Sequence, residues 1–242
     1  MGGTIPVAAV GPGIISGWIT VGNLRYTPSS TYLQNIGLAI VITVSIAIAE
    51  EHVFRGYVLT NAIEELDLRW LSGTTTLLAA WSVSALLFGL IHPAPTLVAG
   101  IHFLSAGFLL GLAYLLSGQL GLPIGIHAGF NFVSGYVVPM TPDQSLVVPL
   151  SVSGPAWLTG QTGLIQTGLQ IPAALGIREY LWWRTGRVGV APRIKSKLQD
   201  KWADKIKERL RPPLRRRVLG HGYPVRVVLA RERPRRCQGR PG

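Results

Sequence analysis

The chain has 242 residues, of which 14% are charged against roughly 25% in soluble proteins, and its mean hydropathy is +0.35; an ordinary soluble domain is excluded and a membrane protein is indicated. The net charge of +12 is unevenly placed, with −1 on residues 1–192 and +13 on residues 193–242; the basic residues are not interleaved with stacking aromatics, which argues against nucleic-acid binding. A single cysteine, Cys237, excludes an intrachain disulfide framework.

In chain order, residues 5–22 are apolar enough for a short or broken first span, although Gly11, Pro12, Gly13 and Gly17 weaken a helix there. No basic residue precedes Arg25, so the positive stretch that opens a cleavable signal peptide is missing. Between Arg25 and Glu50 lie twenty-four uncharged residues, enough for one span at roughly 20 residues. Glu50 and Glu51 then fall inside or at the edge of that span, where an acidic side chain costs about 2.5–3.5 kcal/mol, and such residues face the protein interior and usually serve a function. Glu51 and Arg55, four apart, share a helical face and can pair. Glu50 is turned about 100° away and has no partner on its own helix, the situation of a general base whose pKa burial would raise.

The stretch Glu64 to Trp70 reads as a polar surface loop. From Trp70 to Pro142 there are seventy-three residues without Asp, Glu, Lys or Arg, room for three spans, placed near 74–92, 97–116 and 122–139 by the breaks at Pro93-Ala94-Pro95 and Gly118 to Pro123. Gly107 with Gly111, and Gly125 with Gly129, are spaced for close helix contact. Residues 140–162 read as an extramembrane loop, and a last span follows from about Gly163 to Trp183, with Tyr180, Trp182 and Trp183 in the interfacial belt beside Arg178, Arg184 and Arg187. Beyond it, Ile194, Leu198, Trp202, Ile206 and Leu210 recur every four residues, predicting an amphipathic helix over 193–211 on the membrane surface. Residues 214–242, rich in Arg, Pro and Gly, predict disorder. The fold class is therefore all-α, a polytopic bundle of about five or six spans over 1–190 with a basic tail over 191–242. The tail's charge predicts a cytoplasmic C-terminus and contact with anionic lipid.

The uncharged region makes its few polar side chains informative. His92 closes one span, with Phe88 one turn before it, and His127 opens another, with Asn131 one turn after it on the same face. A glutamate, two histidines and an amide on different spans supply a base, a proton carrier or ligand, and donors for a developing oxyanion, the parts that peptide hydrolysis needs. His102 and His52 have no such companions and read as packing residues.

The motifs EEHVFR at 50–55, FGLIH at 88–92 and HAGFN at 127–131 resemble, in order, those of the CPBP family, the CAAX prenyl proteases and bacteriocin-processing (Abi) enzymes, over roughly residues 34–140. The resemblance implies an intramembrane endopeptidase. Glu50 and His92 would activate the attacking water, His127 and Asn131 would stabilise the oxyanion, and Glu51 and Arg55 would support the site. The substrate would be a peptide or protein, prenylated in some members. The family is called metalloprotease, and Glu50, His92 and His127 could bind zinc; but the HExxH helix is absent and an amide is a rare zinc ligand, so the preference is for glutamate-activated water without a required metal. With little sequence before the first motif, either the bundle is minimal or a partner or second copy supplies helices. The rivals are a non-catalytic immunity or interaction protein of the same fold, and a proton- or ion-coupled transporter, which predicts internal inverted repeats that the sequence does not show. Strict alternation of full-length spans would put His92 and His127 on opposite membrane faces, a conflict that uneven or re-entrant helices would ease.

Overall fold

The structure is a computed structural model that describes residues 1–23, 30–66, 72–140 and 145–198. The expected polar residues Asp67 and Arg69, most of the amphipathic helix over 193–211 and all of the stretch 214–242 lie outside these; helix is present over 192–198. The chain begins with α1 (Thr4–Ile15), turns at Gly17 in the left-handed region (φ +72°) and enters a short strand, β1 (Ile19–Val21). Next come α2 (Ser30–Glu51), a π-helical stretch over His52–Leu59, and α3 (Thr60–Glu65), which run on as one rod of 36 residues. The helices α4 (Gly73–Ile91), α5 (Leu97–Ser117) and α6 (Gly121–Phe132) follow, α6 ending in a π turn over Val133–Val137. After β2 (Leu150–Val152) and the single turn α7 (Ala156–Thr159), α8 (Leu164–Thr185) completes the bundle.

Several expectations need correction. Among the described residues three helical runs, Ser30–Glu65, Gly73–Ile91 and Leu97–Ser117, are long and apolar enough to cross a membrane by length and composition. The span expected over 122–139 is instead the 12-residue α6 with its π turn, short of the roughly 20 residues a crossing needs. The 22-residue α8 has the length, but Gln166, Gln170, Arg178 and Glu179 dilute its apolar character. Glu64 and Glu65 continue a helix rather than forming a loop. The bundle is not purely α: β1 and β2 pair antiparallel, Thr20 opposite Ser151.

Burial explains the arrangement. On α2 the buried residues are Ala39, Thr43, Ala47 and Glu51, one narrow stripe with a period of four that lies against α6. The rest of the helix, including Leu33, Leu38, Val41 and Ile48, is exposed, far more apolar surface than a water-soluble protein presents and suited to hydrocarbon. α4 and α5 are drawn together at glycines: a Cβ on Gly107 would stand 2.8 Å from the Ala85 carbonyl oxygen, and one on Gly111 would stand 2.5 Å from Trp81 Nε1. The Trp81 indole donates to the Phe108 carbonyl at 3.0 Å across this contact. Of the second pair, Gly125 has nothing within 4 Å, whereas a Cβ on Gly129 would stand 3.3 Å from the Gly3 nitrogen. The central core joins Phe54, Phe88, Leu110, Ile126 and Ile177, drawn from the π stretch, α4, α5, α6 and α8.

Candidate active site

Pro93 shapes the first histidine. The residue before a proline is driven from helical geometry, and His92 ends α4 in an extended conformation (φ −86°, ψ 137°). Its backbone N–H turns to Gly89 at 3.4 Å, which frees the Phe88 carbonyl, and the His92 side chain takes that acceptor through Nδ1 at 2.7 Å. A carbonyl can only accept, so Nδ1 carries the proton and the Nε2 lone pair points away from the helix. Phe88 lies under the imidazole with ring centroids 4.5 Å apart, and Phe103 stacks on it at 4.6 Å.

The second histidine is fixed by a carboxylate. Glu51 Oε1 accepts from Arg55 Nη1 at 2.9 Å and from His127 Nδ1 at 2.9 Å, with Glu51 and Arg55 both wholly buried. Arg55 also donates to the Gly107 carbonyl at 3.0 Å and lies 4.6 Å over the Phe88 ring. The cation therefore ties α2 to α5 and α4, while the carboxylate orients an imidazole on α6. Nδ1 of His127 is thereby committed to Glu51, and in the neutral ring Nε2 is the lone-pair nitrogen, as in His92. The π stretch opens directly after Glu51, and its loosened carbonyls are met by hydroxyls: Ser84 donates to Phe54 O at 2.8 Å and Thr60 to Arg55 O at 3.0 Å. Such wide turns recur at functional sites, where they re-aim side chains.

Glu50 completes the group. Its Oε2 lies 3.7 Å from His92 Nε2 and 3.8 Å from His127 Nε2, and this buried oxygen accepts no hydrogen bond among the described residues. The two histidines thus meet at one carboxylate despite the alternation of helices. Asn131, one turn beyond His127, lines a cavity of about 60 Å³ together with both histidines, space for a few waters. Glu50 is not part of that wall; its side chain is 23% exposed and meets the lining residues at the two imidazoles. A wider hollow of about 570 Å³ shares His102, Phe103, Phe130 and Asn131 with the inner cavity.

Anchoring of Nδ1 by a carboxylate or carbonyl is also found in metal-bound histidines. Among the described residues no group of three or more His, Cys, Asp or Glu is disposed to hold a metal ion.

His102 was expected to be a packing residue. It is buried on α5, with Nδ1 3.0 Å from Thr167 Oγ1 and 3.4 Å from Gln170 Nε2 of α8. The available signal was Gln166 and Gln170, two amides one turn apart in a membrane-length helix. His52, by contrast, is exposed and bonds only its own helix at Ile48 O, 2.7 Å.

Residues 32–133 match the family model described as type II CAAX prenyl endopeptidase Rce1-like. The match contains all three motifs and every member of the Glu50, Glu51, Arg55, His92, His127 and Asn131 group. No curated protein and no solved structure matches the chain. Together with the three apolar helices long enough to cross a membrane, this match over residues 32–133 supports assigning that segment to the CPBP family, a protease family, in its Rce1-like form.

Proposed function

We propose that this protein is an intramembrane endopeptidase that hydrolyses a peptide bond near the membrane with water activated by Glu50, and that its substrates are peptides of the CAAX kind named for the Rce1-like family. The observation that carries the reading is the Glu50 carboxylate oxygen, buried and without a hydrogen bond, facing two imidazole nitrogens whose other nitrogens are anchored. Uncommitted lone pairs are what a general base needs. Glu50 takes a proton from water as the oxygen attacks the scissile carbonyl; the Nε2 lone pair of His92, 3.7 Å from Glu50 Oε2, accepts that proton and passes it to the leaving amine, which restores the Glu50 carboxylate.

The oxyanion is stabilised by the Asn131 amide, which forms no side-chain hydrogen bond among the described residues, and by His127. For His127 to donate from Nε2 while Nδ1 remains on Glu51, the ring must be the imidazolium, and the Glu51 carboxylate is the group that supports that second proton. No step requires a metal.

The test is cleavage of a peptide by the purified protein in detergent, compared with Glu50→Gln, which keeps the shape and loses the base. A loss of at least about 10²-fold in turnover is expected. Near-normal cleavage by the variant sinks the assignment. Function in cells that survives replacement of Glu50, His92, His127 and Asn131 would favour a non-catalytic interaction protein of the same fold.

A further inference from the structure

The proton count at His102 points to a second use of the cavity. Thr167 Oγ1 has one proton, and it is given to the Gly163 carbonyl at 2.9 Å. Toward His102, 3.0 Å away, Thr167 can therefore only accept. Nδ1 of His102 must be the N–H, and Nε2 is left with a lone pair that takes no hydrogen bond from any described residue.

Gln170 agrees with this assignment. Its amide carbonyl oxygen is buried without a partner while its NH₂ sits 3.4 Å from the protonated Nδ1, donor against donor. Rotating the amide by 180° places the carbonyl on the Nδ1–H and replaces the donor-against-donor contact with a hydrogen bond; the two amide ends are interchangeable in shape. Thr167 and Gln170 on α8 thus hold His102 with an acceptor edge free.

Where His102 stands gives that edge a meaning. His102 lines both the inner cavity, with His92, His127 and Asn131, and the wider hollow outside it. Apart from the site histidines and amides, the inner wall is made of apolar and aromatic residues such as Phe88, Phe103 and Phe130. A peptide drawn into such a wall leaves its backbone N–H groups without water, and each needs an acceptor. We propose that His102 is that acceptor: its Nε2 receives a main-chain N–H of the bound substrate at the junction of the hollow and the inner cavity, positioning the peptide for attack. This rests on the peptidase reading, and it adds a binding residue outside the three motifs, on α5, oriented from α8.

The experiment measures binding without cleavage. A fluorescent prenylated peptide ending in a CAAX sequence is titrated against Glu50→Gln protein in detergent by anisotropy. A set of analogues then has each amide N–H replaced in turn by an ester oxygen. One position should weaken binding about tenfold or more in the protein carrying His102. His102→Phe, which keeps a ring and loses the acceptor, should bind the all-amide peptide about tenfold more weakly and be insensitive to the ester at that same position. His102→Gln, which restores an acceptor, should recover most of the affinity.

In the otherwise wild-type enzyme the same change should raise KM with little loss of kcat. An ester penalty that is equal with and without His102, or the absence of any penalised position, overturns the proposal. If His102→Phe fails to fold, the ester scan and His102→Gln decide alone. Cleavage without a His102-dependent amide removes this inference and leaves the peptidase; His102-dependent binding without cleavage removes the peptidase and leaves the binding residue. An all-amide peptide that does not bind at all overturns both.

Discussion

At the scale of single residues, two adjacent glutamates do different work because helical geometry separates them. Glu51 is wholly buried between a guanidinium and an imidazole, whereas Glu50 is 23% exposed with an uncommitted oxygen. Glu51→Gln should therefore be the greater injury to folding: it leaves Arg55 buried and unpaired, a loss of about 3–5 kcal/mol. Melting of the two variants in detergent checks this, and equal curves for Glu50→Gln and Glu51→Gln would contradict the division. Asn131 answers a separate question. If its amide serves only the oxyanion, Asn131→Ala should reduce turnover by about 10²- to 10³-fold while peptide affinity is kept; a matching fall in affinity would make Asn131 a binding group instead. The separation of Glu50 from Glu51 could be read from the sequence, since the i, i+4 spacing to Arg55 belongs to Glu51 alone. That Glu51 also fixes the proton of His127 could not, because the partner is 76 residues away and no local period links them.

At the scale of elements, the contact between α4 and α5 depends on a residue with no side chain. Gly107 lets the helices close and offers its carbonyl to Arg55, so one position serves both packing and the polar centre. A methyl there meets the backbone of Ala85. Gly107→Ala should lower stability by about 1–3 kcal/mol, the usual range for overpacking. Gly125→Ala, a match to the same spacing in open space, should be neutral or slightly stabilising. Thermal unfolding of the pair measures the difference, and a Gly107→Ala protein as stable as its Gly125 counterpart would show that the helices separate at little cost. Spacing alone could not tell Gly107 from Gly125, because it records which residues share a face and not whether a neighbour lies opposite. The length of α6 was hidden for a similar reason: an unbroken apolar run from 122 to 139 looks like a span, yet its π turn and early end are set by what α1 and α2 pack against it.

At the scale of the whole molecule, the charge asymmetry is the feature most directly carried by composition. Arg184 lies in the last turn of α8, Arg187 and Lys195 lie beyond it, and the strongly basic sequence continues past the described residues. By the positive-inside rule this end of the bundle is expected to face the cytoplasm. A reporter fused after Leu210 should be active only on the cytoplasmic side, and activity confined to the outer side would reverse the topology. A long, apolar, mostly helical chain was legible from hydropathy. The two short strands were not, since three residues carry no period and their pairing depends on a partner some 130 residues away.

That pairing also sets an order of events during synthesis. Residues 19–21 leave the ribosome well before residues 150–152, and at roughly 5–20 residues per second the interval is on the order of ten seconds. Over that time α1 lacks both its strand closure and the backbone of Ile126, against which Gly2 is seated. Residues 1–22 are thus made before the strand that locks them, and Glu50, Glu51 and Arg55 are translated before either histidine of the site. A nascent chain halted before residue 150 should accordingly keep its amino-terminal 22 residues open to proteases, and release of a few more residues should close them.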